Sequence, residues 1–552
     1  MAPVPNAAAT KLRKPVQEQM RFPAPVGGLN FIDSTITMPV TDCYLLDNMI
    51  AHSYGVQVRP GWQWWTPSGS FPSTEVRTIM AYNAADPFFS KLFCSINETT
   101  SKFYDITSQN AAPTVSFTPS SPVSVPGEWY YTNFTTGGSS YLCVVGAGCG
   151  YMHYDSSAGW VQVTQGTGAG QVSFPAGDIS SLADLCFVMQ YKRRLWFLKR
   201  NSTNAYYLPV NQIAGALQLF DFGPLLERGS SIAYLADWTY DSGSGVDDSL
   251  VAISFEGDML IYDGTDPSDA TDFKLRGVWS IGRSPYGRRS YGKHGGDVLI
   301  VTDYGILTVA DLVAGRLHTS AMVGTLGYKI NSRLSGMVSF DLNSPYWFLQ
   351  AHPTEEILIL GSPHVSDLQA ILQSFTMESI TNGWSTVSNM DMLCGEVFQG
   401  KYLYGSRTGD VIQGFVGFND AVSADNSDPG TEVTGRIQGA FSDFRDGTKN
   451  KRLLRCKVYG QTDGLPSFYL TFRPEYELNE LVSTPAPSTV SIPTWDTAIW
   501  DSSVWSLGKL SLHKWFGVSC FGKKLSLQMA IRSSGNTLLT DFEVLFESGI
   551  GL

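Results

Sequence analysis

Charged residues are scarce in this 552-residue chain, at 16%, while hydrophobic residues reach 43%. That balance excludes a disordered tail, which carries more charge and too little apolar surface to fold. No stretch approaches the roughly 18 uninterrupted apolar residues that a bilayer-crossing helix needs, so no membrane-spanning segment is expected. The opening MAPVPNAAATKLRKPVQEQM lacks the apolar core of a secretory signal, which points to synthesis in a cytoplasm. The eight cysteines contain no Cys-x-x-Cys pair, and reduced, mostly buried thiols are the expectation. Seven histidines are scattered without His-x-His or His-Glu-x-x-His. No metal or cofactor is therefore called for.

What is present is the composition of β-structure. There are 54 glycines, 25 tyrosines and 14 tryptophans, the residues of pleated strands and tight turns. Helix is scarce, with SDLQAILQSF (366–375) one short candidate. From Ile79 onward, seven short apolar runs recur: KLFCSI, SYLCVV, RLWFLK, SLVAIS, DVLIVT, YWFLQA and KYLYGS. Their markers Phe93, Leu142, Leu195, Leu250, Leu299, Trp347 and Leu403 are spaced 49, 53, 55, 49, 48 and 56 residues apart. A repeat of that length built from several short strands is what a β-propeller blade requires, because one blade cannot bury both its faces alone. Seven blades is the best count, with six to eight permitted.

The expected fold is thus all-β in four parts. Residues 1–75 form an irregular extended N-terminal arm with the first strands, and 76–420 a β-propeller-like domain. The polar stretch 421–434 is a linker, and 435–552 an antiparallel β-sandwich.

Catalytic motifs do not assemble. GAGCG and GTGAG open no helix and precede no Gly-Lys-Ser/Thr, so they read as turns. There is no Gly-x-Ser-x-Gly elbow, and no catalytic residue is assigned. Net charge is −12, from 38 basic and 50 acidic residues, a sign that does not seek nucleic acid except through a local patch. Two such patches exist. RSPYGRRSYGKH supplies Arg283, Arg288, Arg289 and Lys293 on a predicted loop, and KNKRLLR supplies Lys449, Lys451, Arg452 and Arg455 beside a strand. They read as solvated loops or inter-subunit salt bridges, or else as phosphate contacts that ignore base sequence.

The segment FPAPVGGLNFIDSTITMPVTDCYLLDNMIAHSYGVQVRPGW resembles the N-terminal signature of tail proteins from short-tailed bacteriophages. The matching positions are Phe22, Pro23, Pro25, Gly28, Leu29, Asn30, Asp33, Met38, Pro39, Leu46, Asp47, Asn48, Gly55, Val58, Arg59, Pro60 and Gly61. WDTAIWDSSVWS, KWFGVSCFGKKLSLQM and the closing FEVLFESGIGL are similar to the far end of the same proteins. The resemblance implies a tail-nozzle, or tail tube B type, subunit in the virion tail. Such a subunit forms a six-fold homo-oligomeric ring beneath portal and adaptor proteins, with tail fibres or spikes as neighbours. It touches double-stranded DNA transiently in its lumen as the genome is retained and then ejected. Within that picture Phe22, Leu29, Asn30, Asp33, Met38, Leu46, Asp47, Asn48 and Arg59 are candidates for an assembly arm laid on a neighbour. Arg283, Arg288, Arg289 and Lys293 are candidates for a phosphate grip. The competing reading is a carbohydrate-binding or glycan-cleaving propeller that contacts a receptor.

Overall fold

A computed structural model describes residues 16–549, except 35, 73, 242–245, 317–324, 364–373, 479–484, 487–509 and 534. The helix expected at 366–375 falls almost wholly outside the described residues, as does the tryptophan-rich part of the C-terminal motif.

Seven blades surround one axis. Their innermost strands are Val76–Tyr82, Tyr130–Thr136, Leu185–Tyr191, Ile232–Asp241, Tyr291–His294, Phe348–His352 and Cys394–Phe398. Each blade touches the next in chain order, and the seventh inner strand packs on the first, which closes the ring. The apolar runs that reveal the repeat are mostly second strands of blades. Leu195 to Leu198, for example, are all buried. Neighbouring blades cover such a strand on both faces, so it reads as continuous apolar sequence and not as an alternation. The exception is YWFLQA, which supplies the innermost strand of blade six; the second strand there is Ile357–Gly361.

Among the described residues blade five has three strands. At its outer edge lies a 13-residue helix, Tyr328–Phe340, which periodicity did not disclose. Asn331 takes the place of a fourth strand. Its Oδ1 accepts from the Ile306 N–H at 3.0 Å and its Nδ2 donates to the Ile306 carbonyl at 3.2 Å, pairing an edge that would otherwise be bare.

The N-terminal segment is not a free arm. It contributes β1 (Val16–Pro23), β2 (Cys43–Asp47), β3 (Met49–His52), β4 (Gly55–Val58) and β5 (Trp62–Trp64) to sheets of its own chain. β5 pairs with Val411–Gly414 and completes blade seven. The C-terminal strands are β6 (Thr431–Gly439), β7 (Lys451–Thr462), β8 (Ser467–Pro474), β9 (Leu510–Gly522), β10 (Leu525–Ser533) and β11 (Thr537–Ser548). One sandwich sheet runs β3-β4-β11-β7-β9, with β1 also on β11. The other is the outward continuation of blade six, through β2 to β6, β10 and β8. Ile437, Cys456, Val458, Met529, Phe542 and Val544 fill the space between them. The linker expected at 421–434 is shorter: Asn419 and Asp420 pair with Glu432 and Thr431, and β6 has begun by Thr431. The propeller and sandwich therefore share a sheet instead of hanging on a tether.

Candidate functional site

The residues nominated as an assembly arm converge on the joint between propeller and sandwich. Asn48 adopts a left-handed conformation (φ 54°) that an asparagine tolerates, turning β2 into β3. Its side-chain Oδ1 accepts from Arg59 Nε at 2.8 Å and from the Ser388 N–H at 3.0 Å. Arg59, only 2% exposed, grips Asp420 in a fork of two 2.8 Å bonds. Its remaining N–H groups reach the carbonyls of Pro60 and Ser388. Asp47 accepts from Ser388 Oγ at 2.8 Å and pairs with Arg436 of β6 at 3.2 Å. Burial raises the Asp47 carboxyl above its usual range, against the pull of Ser388 and Arg436. Asn30 holds Asp33 and Asp42 at 2.8 Å each, and Asp42 meets Lys329 of the helix at 2.9 Å. Leu29 and Leu46 are buried, Met38 nearly so, and Phe22 packs edge-on against Phe444 at 5.2 Å. These side chains satisfy one another inside one chain, so they are not free to lie along a neighbour.

The propeller axis holds a cavity of about 550 Å³, lined by Tyr131, Gln190, Asp237, Lys293, Leu349 and Val397 among others. The segment from Arg283 to Ser290 closes the end where the innermost strands begin. Arg288 Nη1 donates to the carbonyls of Ile232, at 2.9 Å, and Ala233 in blade four. Arg289 reaches across to the Arg77 carbonyl (2.7 Å) and Thr78 Oγ1 in blade one, and to the Trp129 carbonyl at 2.8 Å. Both guanidinia are spent on the protein's own carbonyls and the Thr78 hydroxyl. That removes them as phosphate contacts: a loop that reads as basic in sequence is a plug in space. Arg283 pairs with Asp303 at 3.0 Å and Lys293 with Asp237 at 2.5 Å, so both nominated cations at the loop's ends are matched by a carboxylate.

At the other end the cavity opens into a polar cleft of about 850 Å³ beside blades three and four, with Lys192, Arg193, Arg194, Asp248 and Asp266 on its wall. Sequence reasoning missed a buried acid beside the axis. Glu396, on the innermost strand of blade seven, accepts a hydrogen bond from Tyr131 of blade two. Burial raises its carboxyl to about 7. The only signal was a charged residue inside the run CGEVF. Of the second basic cluster, Lys451 is buried and bonded to the Lys523 carbonyl at 3.0 Å, and Lys449 pairs with Asp446 at 2.9 Å. Arg452 and Arg455 remain exposed on β7.

Among the described residues no group of three His, Cys, Asp or Glu side chains is placed to hold a metal ion, and no helix is long and apolar enough to cross a membrane. No family model matches the chain, and no curated protein matches it. Solved structures similar to it include YCF48 bound to a D1 peptide, at 10% identity and a TM-score of 0.37, covering 69% of this chain and 99% of that one. Sqt1 of Saccharomyces cerevisiae aligns at 10% identity and a TM-score of 0.34, over 65% of this chain and 99% of its own. BBS1N in complex with ARL6DN gives 13% identity and a TM-score of 0.24, over 43% and 62%. Similarity at that level carries little weight. The propeller is assigned from the seven blades and their closure.

Proposed function

We propose that the chain is a structural subunit of a short-tailed phage virion, one member of a six-fold tail-nozzle ring beneath the portal and adaptor proteins. In this role it retains packaged DNA, forms part of its exit channel, and carries no catalytic centre. The observation that supports this reading most is the joint. Asn30, Asp47, Asn48 and Arg59, which carry the tail-protein resemblance, form buried polar networks at the seam of propeller and sandwich. The positions that carry the resemblance thus have a shared structural role in this chain. A surplus of 12 negative charges also suits a DNA conduit, since a like-charged wall leaves the duplex mobile. Light scattering and negative-stain imaging of the protein, alone and mixed with its portal–adaptor complex, test the proposal. A six-fold ring on the adaptor supports it. A protein that never joins the adaptor sinks it.

The open mouth of the axial cavity favours a second reading, glycan binding at the polar cleft around Gln190 and Asp237. A glycan array with wild type and Asp237→Ala separates the two: loss of a saturable signal on substitution supports this reading, and no signal at all removes it.

A further inference from the structure

The outward face of the sheet β1-β11-β7-β9 has an order that goes beyond the ring proposed above. Residues directly opposite on neighbouring strands share a face, so the register lays this face out row by row. In one row Gln17, Glu547, Arg452 and Phe521 stand side by side; in another, Arg21, Glu543, Lys457 and Trp515. In both rows the β11 column presents an acid, the β7 column a base and the β9 column an aromatic ring, while the row between them holds Gln19, Leu545, Arg455 and Gly517. All of these side chains are exposed or half-buried. Phe521 is 44% and Trp515 38% exposed, large values for rings of that size. Arg452 has no ion pair and no hydrogen bond among the described residues, although Glu547 is its direct neighbour. Lys457 lies over the Tyr459 and Trp515 rings at 4.6 and 5.6 Å and forms no ion pair with Glu543 there.

We propose that this face binds a second copy of the chain across a two-fold axis running parallel to the strands, between β7 and β11. Such an axis reverses the order of the columns while keeping the rows. Glu547 then faces Arg452 of the second copy, Glu543 faces its Lys457, and the open side of Arg21 faces its Trp515, each contact occurring twice. A self-complementary patch is what a two-fold interface requires, and exposed Trp, Phe and Arg are the residues that anchor interfaces. Nucleic acid fits less well. A phosphate chain laid on the basic column lies one strand spacing, about 4.8 Å, from the acidic one and is repelled by it.

Sedimentation velocity on the full chain tests the inference without any variant, since a dimer held by exposed charge pairs dissociates as salt screens them. Wild type is expected to dimerise at low salt and to separate at high salt. Arg452→Glu with Lys457→Glu makes both columns acidic, and Glu543→Lys with Glu547→Lys makes both basic. Each double variant is expected to weaken dimerisation about tenfold or more, while an equimolar mixture of the two restores a dimer. A wild type that stays monomeric at low salt overturns the inference, and so does a dimer indifferent to both reversals or a mixture that fails to recover. Binding of duplex DNA that both variants alter, without any dimer, assigns the face to nucleic acid instead. Adaptor binding is measured in parallel and is expected to be unchanged, so the fate of the ring proposal remains separate.

Discussion

Arg59 shows how much one side chain contributes when every polar atom is used. Its five N–H groups meet five acceptors drawn from four residues. Arg59→Ala leaves the buried Asp420 carboxylate without its partner, and denaturant unfolding is expected to show a loss of about 3–5 kcal/mol. Arg59→Lys is expected to recover little, because an ammonium cannot form the planar fork. Glu396 and His352 give opposite pH signatures. Burial raises Glu396 from an ordinary 4.5 to about 7, so its contribution to stability is fully present below pH 4.5 and is lost as pH rises through 7. Burial lowers His352 from 6.5 to about 4, so its contribution is present above pH 6.5 and lost as pH falls toward 4. Unfolding midpoints measured from pH 4 to 8 should flatten on the alkaline side in Glu396→Gln and on the acid side in His352→Gln. A profile unchanged by either substitution contradicts the assignment.

At the scale of elements, β5 is a closure device. Three residues from the start of the chain complete a blade whose other strands lie some 340 residues later. Gly61 permits the approach: a β-carbon there would stand 1.8 Å from the Asn419 carbonyl oxygen. Gly61→Ala should cost about 1–3 kcal/mol by pushing β5 away, read as a lower unfolding midpoint and faster exchange of blade-seven amides. The same element marks the limit of what could be read in advance. Buried second strands such as RLWFLK announce themselves by apolar runs, and six of them, with the innermost strand in YWFLQA, gave the blade count. WQW carries no sign that its partner is VIQG. Arg288 and Arg289 look like a solvated basic loop because a sequence shows charges and not the carbonyls that meet them. The helix that edges blade five escaped notice because its apolar face is short and Asn331, its working residue, is polar.

The shared sheet makes propeller and sandwich one cooperative unit. Asp47 pairs with Thr386 of blade six on one side and with Arg436 of β6 on the other, so β2 is common property of propeller and sandwich. Thermal or denaturant unfolding followed by tryptophan fluorescence and by far-ultraviolet dichroism should give coincident, single transitions. Two separated transitions would show that the halves fold independently. The four-part division expected from composition missed this coupling, because a polar, turn-rich stretch such as 421–430 looks the same whether it tethers two domains or joins two strands of a continuous structure.

The pairing of β1 with β11 also sets a clock for biosynthesis. Arg21 leaves the ribosome early, yet its partner Asp541 follows 520 residues later. At about 5–20 residues per second, the first strand waits roughly 25 to 100 seconds for the last. Throughout that interval β1 and the outer edge of β4 lack β11, and β5 waits until Val411–Gly414 has emerged, the state in which a β-rich chain is most exposed to aggregation. Synthesis of β11, and not the folding of any one blade, is the event that allows β1 to pair.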